Sequence, residues 1–182
     1  MHFLRDALLE TADRSRRLRN IGWRSFHSMK IVSMKVIGCG NRHRGDDQAG
    51  IVVAERLREL GFEADIHTGD AFALIESWRS NEDVILVDAV VTGAPPGTLH
   101  VWDSSLPGSG LPNAARDPAV SSHGFDLAKA IELGRALGEF PNRLRVYGIE
   151  GTQFERGAKI SPIVLAAINS AVQRIRAEVR FP

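Results

Sequence analysis

Seven consecutive residues, Val84-Ile-Leu-Val-Asp-Ala-Val90, are apolar but for one aspartate. A strand with one face in water alternates apolar and polar side chains, whereas a strand covered on both faces reads as an unbroken apolar run. The run therefore predicts a strand at the centre of a sheet with helices on both sides. It also places Asp88 where an ionised carboxylate is costly unless a cation or strong donors satisfy it. The flanking segments alternate to match. Residues 34–38 read as a first strand and 46–60 as a helix whose apolar face is Ile51, Val52, Ala54, Leu57 and Leu60, stopped by Gly61. Residues 62–67 read as a short strand, 71–78 as a helix, and 98–102 as extended chain after the Pro95-Pro96-Gly97 turn. A Gly/Pro-containing loop leads to a helix at 125–137, a strand at 143–149 and a closing helix at 160–179 with Pro162 in its first turn. This alternation predicts the α/β class, a three-layer α/β/α sandwich around a largely parallel sheet.

With 182 residues and 43% hydrophobic content, one globular domain with a sizeable core is expected at 34–182. Residues 1–33 are set apart by charge. They carry Arg5, Arg14, Arg16, Arg17, Arg19, Arg24 and Lys30 against Asp6, Glu10 and Asp13, while the remainder has more acids than bases. They read as a basic, loosely ordered N-terminal extension without a function of its own, and Met29 and Met34 just before the first strand fit an upstream start codon. No apolar run approaches the ~20 residues that span a membrane, and 1–33 lack the apolar core and cleavage site of a secretory signal. A single cysteine, Cys39, excludes an internal disulfide and fits a reducing compartment. A cytoplasmic protein that binds neither membrane nor nucleic acid, and that is monomeric, is expected.

Ligand sites in such sandwiches gather beyond the carboxyl ends of the strands, so polar residues there carry most weight. The first strand runs into Gly38-Cys-Gly-Asn-Arg-His-Arg-Gly-Asp-Asp-Gln-Ala-Gly50. Three readings of its paired acids compete. An aspartate in a first helical turn caps unpaired N–H groups, for roughly 0.5–2 kcal/mol. A nucleotide fingerprint would set a pyrophosphate on the helix N-terminus, but the third glycine of G-x-G-x-x-G is missing and two carboxylates repel phosphates. A metal site would use one carboxylate and draw partners from other loops. Asp88 is one such partner. His123, in Ser121-Ser-His-Gly-Phe-Asp126, is another, because a cap from Ser121 or Ser122 would leave the imidazole facing the same crevice. Asp46 or Asp47, Asp88 and His123 together form an oxygen and nitrogen set suited to a borderline divalent ion such as Ni²⁺ or Zn²⁺, with positions left for water or substrate. His43 is close enough to join the rim. His67, His100, His2 and His27 read as structural or exposed, and Cys39 as a small buried side chain.

From Met34 to the end of the last helix the chain resembles the hydrogenase maturation endopeptidases, which trim the C-terminal extension of the [NiFe] hydrogenase large subunit after nickel insertion. The resemblance rests on Gly38-Cys-Gly-Asn41 with Gly45-Asp-Asp47 and Gly50, on Val87-Asp-Ala89 with Pro96-Gly-Thr98, on Ser122-His-Gly124, and on Gly148-Ile-Glu150 followed by Ser161-Pro162. It implies a twisted, largely parallel five-stranded sheet and carries the metal-site and catalytic roles to Asp47, Asp88 and His123, with Asp46 as cap or supporting acid. It implies that Ni²⁺ arrives with the precursor, Zn²⁺ or Cd²⁺ being able to substitute in vitro, and that the partner is the large-subunit precursor. Neither a G-x-S-x-G elbow nor an H-E-x-x-H pair is present, which argues against a serine or zincin-type protease. Water activation stays open between Asp47, Asp88 and a metal-bound hydroxide. Two other readings remain: a non-enzymatic nickel checkpoint or chaperone with the same ligands, and a Rossmann-like nucleotide enzyme.

Two places depart from the family pattern. Gln48 stands where a small residue is common, and Arg42-His43-Arg44 makes a usually apolar turn strongly basic. A basic rim favours an acidic or C-terminal carboxylate partner.

Overall fold

A computed structural model describes residues 34–79, 81, 83–106 and 124–180. The expected extension at 1–33 and His123 lie outside the described residues. The elements are β1 (Met34–Cys39), a 3-10 turn (Gly45–Gln48), α1 (Ala49–Glu59), β2 (Ala64–His67) and α2 (Ala71–Trp78). They continue with β3 (Asp83–Val90), β4 (Leu99–Asp103), α3 (Gly124–Leu137), β5 (Arg143–Glu150) and α4 (Pro162–Arg180). One five-stranded sheet has the order β2-β1-β3-β5-β4, parallel except for β4 on β5. The largely parallel α/β architecture expected from the sequence is thus the one observed.

The unbroken apolar run became β3 because both of its faces are covered. Val36, Ile85, Val87, Ala89, Tyr147 and Ile149 join α1 and α4 in one core. Ile37, Cys39, Val84, Leu86, Leu144 and Val146 join α2 and α3 in the other. The period of two in a strand sends alternate residues to opposite faces. By that parity Asp88 follows Val84 and Leu86 onto the side of α2 and α3, as do Cys39 on β1 and Gly148 on β5. Register agrees, for Gly38 pairs with Val87 and Asp88 with Gly148.

Helix ends follow from local chemistry. The Asp70 carboxylate accepts the Ala73 N–H at 3.0 Å and caps α2, while Pro162 opens α4, where its missing N–H costs nothing. The helix expected from residue 46 starts instead as the 3-10 turn and becomes α-helical at Ala49. What fixes its height over the sheet is a contact without side chains. A Cβ on Gly50 would lie 2.2 Å from the Val87 carbonyl oxygen and 2.4 Å from that of Cys39, and one on Gly38 would lie 2.1 Å from the Gly50 carbonyl oxygen. Only two glycines let α1 sit this close to β1 and β3.

Candidate active site

Chain direction creates the site. From β1 the chain passes outward to β2 on one side, and β3 is laid down on the other, so the β1/β3 carboxyl ends bound the crevice where an open α/β sheet reverses its strand order. Asp88 lies at the carboxyl end of β3, and the 3-10 turn bearing Asp47 packs against the same strand. Both carboxylates are almost wholly buried, at 1% exposure each. Folding thus carries two charge-bearing groups out of water at one edge, at a cost of several kcal/mol per ion before compensation.

Backbone geometry aims Asp47. Its N–H donates to the Arg44 carbonyl at 2.9 Å, and its own carbonyl accepts the Asn41 N–H at 3.1 Å. Gly40, at φ 136°, wraps that carbonyl so closely that a Cβ would fall 1.9 Å from the oxygen. The glycine turn therefore encloses its own backbone.

Asp46 has a different task. Its carboxylate accepts N–H bonds from Thr152 and Gln153 at 3.0 Å each and from Ser161 at 2.7 Å, plus the Ser161 hydroxyl at 3.1 Å. Of the two roles expected of Asp46, cap or supporting acid, these bonds fit the second, since neither the 3-10 turn nor α1 has a side-chain cap. The reason is supply: the loop after β5 offers four donors to one buried acid, more than a single helical turn presents. Asp46 thereby ties the turn before α1 to the start of α4.

On the other side of the edge, Asp88, Cys39, Gly40, His67, Thr68, Gly69, Asp70, Leu74 and Leu127 line a crevice of about 20 Å³, the space of roughly one water. Asp88 Oδ1 accepts the Ala89 N–H at 2.9 Å. Burial, and secondarily the Asp88 charge, push the Cys39 thiol well above its ordinary range, so it is a neutral packing group and a poor nucleophile. His67 ends β2 with Nε2 3.2 Å from the Asp70 carbonyl oxygen, at the crevice rather than remote from it. That contact with a backbone carbonyl fits the structural or exposed reading of His67. His123 lies outside the described residues; α3 begins at Gly124, the next position.

A second buried acid at the same edge, Glu150, organises the loop after β3. It accepts the N–H groups of Thr92 at 2.7 Å and Gly93 at 3.0 Å and the Thr92 hydroxyl at 2.8 Å, and it lies 3.2 Å from His100 Nε2. His100 stacks on Trp102, with ring centroids 5.3 Å apart. The sequence displayed Glu150 in a motif without a role, because the donors that define that role come from 58 and 50 positions away. Among the described residues no three His, Cys, Asp or Glu side chains are grouped so as to hold a metal ion, leaving Asp47 and Asp88 as two oxygen donors at one edge.

The fold, with acidic residues rather than a phosphate loop at its switch point, matches a known group of proteins. A family model described as HycI, hydrogenase maturation protease, matches residues 64–178. This chain belongs to the hydrogenase maturation protease family. It is 27% identical over 152 residues to hydrogenase 2 maturation protease of Escherichia coli K12, covering 80% of this chain and 89% of that one. It is also 27% identical over 164 residues to putative hydrogenase maturation protease MJ0253 of Methanocaldococcus jannaschii, covering 84% and 99%. Among solved structures, the hydrogenase maturating endopeptidase HybD of Escherichia coli superposes with a TM-score of 0.66 at 25% identity, covering 81% of this chain and 91% of that one. Membership makes the chain a peptide-bond hydrolase, as the resemblance implied. No helix among the described residues is long and apolar enough to cross a membrane.

Proposed function

We propose that this family member removes the C-terminal extension of a [NiFe] hydrogenase large-subunit precursor once nickel has been inserted. It would work as a monomer in the cytoplasm. The observation that carries the reading is the pair of buried carboxylates, Asp47 and Asp88, brought by neighbouring parallel strands to the switch-point edge. Buried ionisable groups gather at functional sites, and precursor-borne nickel would be held by these two carboxylates. Oxygen donors from Asp47 and Asp88 and the imidazole of His123 suit Ni²⁺, with Zn²⁺ or Cd²⁺ as in vitro substitutes.

A bound divalent ion polarises a carbonyl or lowers the pKa of water. The chain's own contribution is placement. Asp47 is held by its backbone turn and Asp88 by β-sheet register, so a precursor whose metal they engage has its scissile peptide fixed beside them. Asp46 and Glu150 keep the surrounding loops in position.

Intact-mass analysis tests this. Purified protein is expected to shorten a nickel-loaded large-subunit precursor at its C-terminus, and Asp47→Asn, Asp88→Asn and His123→Ala are each expected to stop cleavage while keeping the native circular dichroism spectrum. Unchanged precursor mass with natively folded wild-type protein would sink the reading, and precursor binding without cleavage would favour a checkpoint protein instead.

A further inference from the structure

We propose that loops 41–48 and 151–161 form a cationic docking ledge beside Asp47 that binds an acidic, carboxylate-rich segment of the protein substrate. The inference rests on the processing reading above and names how that site selects its partner.

The two loops are laced into one unit. Gly157 N–H donates to the His43 carbonyl at 2.7 Å, Arg44 Nε to the Phe154 carbonyl at 3.2 Å, and Asp46 N–H to the Gln153 carbonyl at 2.7 Å. Beneath these bonds the Asp46 carboxylate gathers the Thr152, Gln153 and Ser161 donors. Charge is sorted by depth. Asp46 and Asp47 point inward and are buried, whereas Arg42, His43, Arg156 and Lys159 are exposed and Arg44 is half-buried. The outward acids are Glu155 and, on α1, Glu55, which Arg42 Nη1 holds at 2.6 Å. Among the described residues Arg156 and Lys159 form no ion pair.

A rigid surface with a surplus of cations, joined by backbone hydrogen bonds to the turn that carries Asp47, presents guanidinium and ammonium donors to a substrate segment that lies along that turn. Such groups bind carboxylates through charge-assisted hydrogen bonds and raise association rates for acidic partners.

The test uses the full-length protein and fluorescence anisotropy with three labelled probes: octaglutamate, octaglutamine and an oligothymidine of similar length. At about 50 mM NaCl the octaglutamate peptide is expected to bind at least about tenfold more tightly than octaglutamine, and the difference to vanish by about 500 mM. Arg156→Glu with Lys159→Glu is expected to abolish the preference without changing the thermal midpoint, while Arg156→Lys with Lys159→Arg keeps it. On nickel-loaded precursor the reversed pair is expected to raise KM about tenfold at low salt and to leave kcat within about twofold. Equal binding of the two peptides, tighter binding of the oligothymidine, or a preference that survives charge reversal would overturn the ledge. The two readings fail separately. Unchanged precursor mass with natively folded wild-type protein removes the processing reading whatever the peptides do, whereas wild-type cleavage with KM and octaglutamate binding unmoved by reversal removes only the ledge.

Discussion

Asp46 and Asp47 are neighbours in sequence, similarly buried, and opposite in consequence. Asp46 is satisfied by four donors from one loop, so Asp46→Ala strands the buried N–H and hydroxyl of Ser161 and releases the part-buried N–H groups of Thr152 and Gln153. The cost is expected to reach about 2–4 kcal/mol of unfolding free energy, because each buried neutral donor left without its acceptor costs about 1–3 kcal/mol. Asp47→Asn keeps the shape and removes a buried charge, so its stability is expected to stay within about 1 kcal/mol of wild type or to rise, while cleavage is lost. Urea titration of the two variants side by side checks this; a strongly destabilised Asp47→Asn together with a native-like Asp46→Ala would reverse the assignment of roles. Nothing in the sequence separates these roles from residue type alone. The resemblance chose Asp47 for the site, and only the donors at 152, 153 and 161 explain what Asp46 does.

Between residues and elements stands the glycine contact beneath α1. Gly50→Ala would put a methyl group 2.2 Å from one carbonyl oxygen and 2.4 Å from another, neither of them a flexible side chain that can turn away. Helix α1 must lift, at an expected cost of about 2–3 kcal/mol, and the 3-10 turn lifts with it. A displacement of about 1 Å in a positioning group lowers turnover by about a hundredfold. Denaturation midpoint and kcat are therefore expected to fall together, and a variant with wild-type values of both would show that the close approach is not what seats Asp47. The elements themselves were largely legible: α2 spans 71–78 as expected, and β3 extends the 84–90 run by one residue. Their periodicity is strong because each buries a defined face. The start of α1 was misjudged, because a 3-10 turn and an α-helix share the same acidic first-turn signature and differ only in a tertiary tether.

At the scale of the whole sheet, residues 34–180 carry two cores on opposite faces of one set of strands, and strand parity decides which core each side chain joins. That division was readable in outline from β3, whose apolar run admits no solvent on either side. The loops that build the site were not, since Glu150 and Asp46 acquire their partners through strand order and loop closure rather than through spacing. A shared sheet also predicts how the molecule unfolds. Leu57 on α1 and Ile131 on α3 are fully buried on opposite faces, so Leu57→Ala and Ile131→Ala should each cost about 2–5 kcal/mol. Neither core can lose its packing without exposing the back of the strands that support the other, which argues for a single cooperative transition. With Trp23→Phe as the background, the remaining Trp78 and Trp102 lie with the α2 and α3 core, so tryptophan emission reports on that face and far-ultraviolet circular dichroism on all the helices. Leu57→Ala, on the far side, is expected to lower the urea midpoint seen by emission and by dichroism equally. If emission instead kept its wild-type midpoint while dichroism shifted, the two faces would be unfolding independently and the sheet would not be the unit that couples them.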